Sequence, residues 1–339
     1  MSGLTATRGA QSAGEVRSRR KGRWSAPCRF GNRRSGAAQP RGSVGTAKGL
    51  GELGGRDAVV SVWGGIGNQL FCWAAGYRFA RRNGLNLILE LSSFARDPFG
   101  RRFLLDHVGA SYDGAVIDSW FGRHVWAFAR RLATRTRGAL WLGRFRYYCE
   151  SGPGLHLGVL ASEWHRSCRL QGYWQAPEYS EGVRGEIASM LRFPSCNRGR
   201  GTPGRLDVCV HVRSYGEDPL ADRARLGSDY YQAAYAYFTR CLGNPRFHVF
   251  SDDIAWARAQ CLLPSRYEVA SQGHSKRCAD WGLCELGEMR QFCNFVVANS
   301  SFSWWAAFLA SPGTLTVAPA WARNCWAVHH GVPASWIQL

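Results

Sequence analysis

Acidic residues are scarce in this chain: 24 Asp and Glu stand against 43 Lys and Arg, for a formal net charge of +19. The imbalance is greatest at the start, where the first 55 residues hold eleven Lys or Arg against Glu15 and Glu52 and few aliphatics. Such a segment buries too little apolar surface to offset the entropy of ordering, so residues 1–56 are expected to be a disordered basic leader. It also lacks an apolar run long enough for a signal peptide or a transmembrane helix. A transit peptide and extraneous upstream sequence both fit an Arg-rich, acid-poor leader. Twelve cysteines are present, but none are spaced as CxxC and no His stands at zinc spacing, so structural zinc is not expected. Cys72, Cys209, Cys241 and Cys293 fall in apolar stretches and are expected to be packed thiols. They leave the redox compartment open.

What is present is enough for one large core or two ordinary ones, with 45% hydrophobic and 13% aromatic residues in 339. The ordered part begins near Ala58. Val59 to Trp63 reads as a strand, Gly64 to Gly67 as a glycine turn, and Leu70 to Arg82 as a helix stopped by Gly84. Leu85 to Leu91 is the next strand, giving a βαβ unit and hence a parallel sheet. A helix is expected from Ser180 to Leu191. Composition then breaks at Ser195 to Arg205, which places a linker at 196–205 between domains 57–195 and 206–339. Strands follow at Asp207–Arg213, Arg246–Asp253, Tyr267–Ser271 and Thr314–Ala318. Helices are expected after a Ser228–Asp229 cap, from Ile254, and over Glu285–Phe292. Alternating strands and helices predict an α/β fold, with two Rossmann-like, doubly wound domains facing a central cleft.

A second basic stretch runs from Val125 to Tyr148, where six arginines interleave with Trp126, Phe128, Leu132, Leu140, Trp141 and Leu142 without an acid. It reads either as a peripheral contact with an anionic membrane surface or as a solvated helix whose apolar side packs on the core. No nucleic-acid-binding motif accompanies the charge, and nucleic acid is not expected as a partner.

In open parallel sheets ligands bind beyond the carboxyl ends of strands. Four polar clusters fall at such ends: Gly64 to Gln69, His211 to Ser214, Ser251 to Asp253, and Asn299 to Ser303. Singly each has an ordinary reading. The glycine turn lacks the GxGxxG spacing of dinucleotide sites, His211 could be a core residue, and Asp252 and Asp253 could cap a helix. Asn299, Ser300, Ser301 and Ser303 lie between the apolar run Phe295–Ala298 and a helix start, a junction suited to an anion such as phosphate. Together the clusters meet the needs of a nucleotide diphosphate. Arg213 offers a charged fork, a helix end and hydroxyls surround the phosphates, and a carboxylate accepts the N–H edge of guanine.

GGIGNQLFCWAAGYRFA, LQGYWQAPEY, VCVHVR, FHVFSDDIAWA and ANSSFSWWAAFL resemble, in order and spacing, the successive motifs of the α-1,2-fucosyltransferase family, over about Val59 to Ala320. The resemblance implies a GT-B glycosyltransferase with its acceptor side in the first domain and its donor site in the second. It implies an inverting, metal-independent transfer of L-fucose from GDP-L-fucose to a galactose O2 of a glycan, with no cofactor. By motif, His211 and Asp252 would contact the guanine nucleoside, and Arg213 the β-phosphate. Asn299, Ser300, Ser301, Phe302 and Ser303 would form the diphosphate turn, with Gly65 and Asn68 closing from the other domain. The chain departs from the family where His-x-Arg usually continues with a second arginine and Gly-Asp; here Ser214-Tyr215-Gly216-Glu217-Asp218 follows. The family's usual Cys and His upstream of ANSSFSWW fall on Phe292 and Asn294. Glu217 and Asp218 are the candidates for the catalytic base. An inactive nucleotide-sugar-binding relative is the alternative, and a basic nucleic-acid-binding protein a more distant one.

Overall fold

The computed structural model describes residues 55–118, 120–133, 139–142, 145–150, 164, 166–194, 201–216, 221–271, 281–320 and 331–339. The leader through residue 54, residues 196–200 of the expected linker, Glu217, Asp218 and parts of the 125–148 stretch lie outside the described residues.

Two six-stranded sheets are present. The first contains β1 (Asp57–Ser61), β2 (Asn86–Glu90), β3 (Gly114–Val116), β4 (Ala139–Leu142), β5 (Phe145–Cys149) and β6 (Cys168–Gln171), in the order β3-β2-β1-β6-β5-β4. All its pairs are parallel except β4 with β5. The second contains β7 (Asp207–Val212), β8 (Arg246–Ser251), β9 (Tyr267–Val269), β10 (Asn294–Val296), β11 (Leu315–Ala318) and β12 (Ile337–Gln338). Its order is β12-β11-β10-β7-β8-β9 and every pair is parallel. The helices are α1 (Ile66–Asn83), α2 (Trp120–Ala133), α3 (Glu178–Glu181), α4 (Arg184–Met190), α5 (Ala221–Ala224), α6 (Ser228–Leu242), α7 (Ile254–Ala259), α8 (Trp281–Met289) and α9 (Ser301–Phe308).

β1 and β7 are buried along their whole length, as strands covered on both faces must be. Each is the strand from which its sheet grows in two directions. The chain moves from β1 to β2 and β3, then returns to β1's other side with β6; likewise it moves from β7 to β8 and β9, then returns with β10. The crevices between β1 and β6 and between β7 and β10 are therefore topological switch points, where such sheets bind ligands.

Several expected boundaries are corrected. Helix α1 starts at Ile66, so Gly67 belongs to it rather than to the glycine turn; its end is as read, with Gly84 in the left-handed region at φ 59°. Ser228 does not cap α6, because Gly227 takes the extended cap conformation and draws Ser228 into the first turn. Asp253 caps α7 by accepting the Trp256 N–H at 2.8 Å, which leaves Asp252 for another role. The expected helix from Ser180 is two pieces, α3 and α4. The basic stretch is not one helix. It comprises α2 up to Ala133 and then the β4–β5 hairpin, which the alternation of aromatic and basic residues concealed. In α2, Trp126 is buried against Tyr147, stacked at 5.6 Å, whereas Phe128 is 64% exposed. Cys72 and Cys209 are packed as expected, but Cys241 is exposed because it lies on the outer side of α6. Among the described residues no helix is long and apolar enough to cross a membrane.

One core cluster joins the two sheets' helices. Phe71 of α1 packs on Trp304 and Trp305 of α9 at ring distances of 4.5 and 5.1 Å, and both tryptophans are fully buried. At the other end of α9, Arg184 donates from Nε to the Phe308 carbonyl (2.7 Å) and from Nη2 to the Ala310 carbonyl (3.1 Å). A cation thus satisfies carbonyls that a helix C-terminus leaves open.

Candidate functional site

The carboxyl ends of the strands at both switch points open into one cleft of about 740 Å³. From the first sheet come Gly65 in the turn after β1, Gly67 and Asn68 at the start of α1, and the segment after β6, with Tyr173 and Gln175. From the second come His211 and Arg213 at the end of β7, Asp252 after β8, and Ser300 to Phe302 after β10.

The glycine turn is shaped by positions that need glycine. Gly64 stands at φ 78°, where a side chain would also meet Asn68 Nδ2 at 2.8 Å. A Cβ on Gly67 would lie 2.6 Å from the Ser301 carbonyl carbon, so the absence of a side chain lets the starts of α1 and α9 touch. Gln69, fully buried, ties this turn to the loop beyond β2. Its Nε2 donates to the carbonyls of Gly64 and Arg102, each at 2.9 Å, and its Oε1 accepts the Leu104 N–H at 2.9 Å. Asn68 Oδ1 accepts from Gln175 Nε2 at 3.1 Å, bridging the first switch point.

Across the cleft, Arg213 Nη1 lies 3.1 Å from Asp252 Oδ2. Asp252 also accepts the Ser214 N–H (2.8 Å) and the Ser214 hydroxyl (2.9 Å), while Arg213, with 40% of its side chain exposed, keeps donors toward the cleft. His211 is buried beside them, its ring 5.7 Å from Phe302, and its Nδ1 has no hydrogen-bond partner. Burial first, and the Arg213 cation second, push its pKa down to about 3, so the imidazole is neutral at ordinary pH. Ser300 caps α9 by accepting the Phe302 N–H at 3.3 Å, which gives the residue its ordinary helix-capping role as well as a place on the cleft wall.

The structure therefore brings together Gly65, Asn68, His211, Arg213, Asp252, Ser300, Ser301 and Phe302. Asn299 and Ser303 lie behind the wall. Asn299 Nδ2 donates to the Ala224 carbonyl at 3.2 Å, and Ser303 Oγ accepts the Ala298 N–H at 3.2 Å. Both side chains brace the turn rather than face the cleft. Sequence reasoning assigned no role to Phe99, Arg101, Tyr173, Gln175, Tyr215 or Glu285, which also line the cleft. Arg101 lies over the Phe99 ring at 4.3 Å, and Tyr173 packs edge-on against Trp63 at 5.5 Å. Tyr173 and Gln175 sit within the LQGYWQAPEY motif, which was their only signal; Phe99 and Arg101 had none.

The chemistry open to this cleft is the binding of an elongated, partly anionic ligand. One end meets a helix N-terminus and an arginine, and an exposed aromatic–cation pair lines the wall supplied by the first sheet. The chain is similar to known proteins. The family model for Glycosyl transferase family 11 matches residues 153–326. The O-antigen biosynthesis glycosyltransferase WbnK of Escherichia coli is 25% identical over 284 residues, covering 73% of this chain and 88% of that protein. An α-1,2-colitosyltransferase of Escherichia coli is 24% identical over 274 residues, covering 77% and 90%. Among solved structures, the NodZ α-1,6-fucosyltransferase soaked with GDP-fucose aligns at 15% identity and a TM-score of 0.44, covering 76% of this chain and 93% of that one. The matched span runs from the segment before β6 to beyond β11 and takes in the whole second-sheet side of the cleft. On that match, over half of its length, the chain belongs to glycosyltransferase family 11.

Proposed function

We propose that the chain transfers L-fucose from GDP-L-fucose to the O2 of a galactoside, with inversion at the fucose C1. The observation that carries this reading is the convergence of Arg213 and the start of α9 on one cleft wall, opposite Gly65 and Asn68. As the C1–O bond breaks, negative charge develops on the departing GDP, and these groups are preorganised to stabilise it. Asp252, the neutral His211 and the Phe302 ring form the nucleoside end. Phe99, Arg101 and Tyr173 face the acceptor, offering apolar ring faces to a sugar and a cation beside them. Charge stabilisation by Arg213 and the helix end supports a metal-independent reaction. The base that takes the acceptor proton is assigned to Glu217 or Asp218, in the loop after Arg213.

A thermal-shift series tests the donor. GDP and GDP-fucose at a hundred times their Kd should stabilise the protein by about 2.7 kcal/mol, whereas UDP and NAD should not. Equal stabilisation by UDP would remove the guanine assignment. The similarity to a colitosyltransferase supports a second reading in which the sugar moved is colitose. Transfer assays with both activated sugars and a galactoside decide between them, and the alternative of an inactive binder predicts GDP stabilisation with no transfer from either.

A further inference from the structure

The turn that carries Arg213 into the cleft is held in an unfavourable conformation. Tyr215 has φ 61° and Gly216 φ 53°, and a left-handed tyrosine costs about 1–3 kcal/mol unless its surroundings impose it. Three groups do so. Asp252 accepts two bonds from Ser214, the Tyr215 hydroxyl donates to the Asn299 carbonyl, and Arg225 grips the turn from the side away from the cleft. Arg225 Nε donates to the Ser214 carbonyl at 2.7 Å and Nη2 to the Gly216 carbonyl at 2.8 Å. These two donors lie on one edge of a planar guanidinium, so the carbonyls on either side of Tyr215 are fixed relative to each other. The third nitrogen, Nη1, is anchored by Asp222 Oδ1 at 2.8 Å, and the guanidinium lies over the Trp256 ring at 5.3 Å. Arg225 does not line the cleft.

We infer that Arg225 is a positioning residue, whose fork on the Ser214 and Gly216 carbonyls sets the direction in which Arg213 meets the donor's diphosphate. The inference rests on the proposed role of Arg213. The ammonium of a lysine is a point donor and lacks the two-pronged edge, so Arg225→Lys keeps the charge and loses the geometry. A misplacement of about 1 Å at a reacting centre costs on the order of a hundredfold in rate.

The test compares wild type, Arg225→Ala and Arg225→Lys in GDP-fucose transfer, with melting temperature and GDP-induced stabilisation measured in parallel. Both variants should melt near wild type, and both should lose about a hundredfold in kcat/KM. Added methylguanidinium should restore part of the loss in Arg225→Ala only, a rescue that a general packing defect would not show. Activity of either variant within about threefold of wild type overturns the inference, as does a loss that tracks melting temperature and does not respond to methylguanidinium. If Arg225→Ala does not fold, Arg225→Lys decides alone, and wild-type turnover in it overturns the inference. A wild-type protein that GDP fails to stabilise would instead remove the nucleotide-sugar reading, a result distinct from unchanged turnover in the Arg225 variants.

Discussion

In the proposed reaction Arg213 is the residue on which the chemistry turns, and its surroundings make a clean prediction possible. Asp252 retains both Ser214 bonds when the guanidinium is removed, so Arg213→Ala should fold and melt as wild type does. Its kcat/KM should fall by at least a hundredfold, about 3 kcal/mol of transition-state stabilisation. Transfer kinetics beside a circular-dichroism melt check this, and near-normal turnover in a folded variant would refute the role. At this scale the sequence was most legible where strand-end polar residues interrupt apolar runs, as at His211, Arg213, Asp252 and Ser300. It was least legible where a residue reaches the cleft only because a loop is folded back. Phe99 and Arg101 sit in such a loop, pinned through Gln69, and nothing in their local pattern distinguishes them from solvated residues. Asn299 and Ser303 show the converse. Their residue types suit a phosphate site, yet the Ser303 side chain serves the turn's own backbone and that of Asn299 ties the turn to the Ala224 carbonyl.

Among the elements, the contact between α1 and α9 is decisive because it depends on a missing side chain. A methyl group on Gly67 would sit 2.6 Å from the Ser301 carbonyl carbon and 2.7 Å from its oxygen, and neither is the flexible end of a side chain. Gly67→Ala should therefore displace the start of α9, costing about 1–3 kcal/mol of stability as overpacking does. It should also reduce stabilisation by GDP, since the displaced turn forms the proposed anion-binding wall. A Gly67→Ala protein with unchanged melting and GDP response would show that the contact is slack. The reading of GGIGNQ as a glycine turn gave no sign of this contact, since periodicity says nothing about a partner more than two hundred residues away. Element boundaries failed for similarly local causes. Gly227 pre-empted the Ser228 cap, and the β4–β5 hairpin lay hidden in a basic, aromatic stretch without an Asn-Gly or Asp-Gly turn signal.

For the molecule as a whole, binding and acid stability are separated along the strands of the second sheet. The cleft lies at the carboxyl end of β7, while Asp207 at its amino end is held by Arg246 at 2.7 and 2.8 Å and by His248 at 2.8 Å. Burial alone would raise the Asp207 pKa, but these partners outweigh it and hold the carboxyl below the usual 3.8. A depressed carboxylate contributes stability that is present above its unfolded pKa and lost as pH falls through the lower folded value. Asp207→Asn should thus lower the melting temperature at neutral pH, with the gap to wild type narrowing below about pH 4, and should leave GDP binding intact. Melts across pH with and without GDP check both halves of this statement. The alternation of strands and helices already implied parallel α/β sheets, but not the shared core that joins them. Helix α9 follows a second-sheet strand in sequence, yet Phe71 flanks its tryptophans and Arg184 clasps its last carbonyls. Swinging the two sheets apart along this seam would strip water-free contacts from several aromatic side chains, at roughly 1.5–3 kcal/mol each, and break two charged hydrogen bonds. On the proposed function, nucleotide exchange is accordingly a matter of the rim, above a seam that acts as a fixed floor.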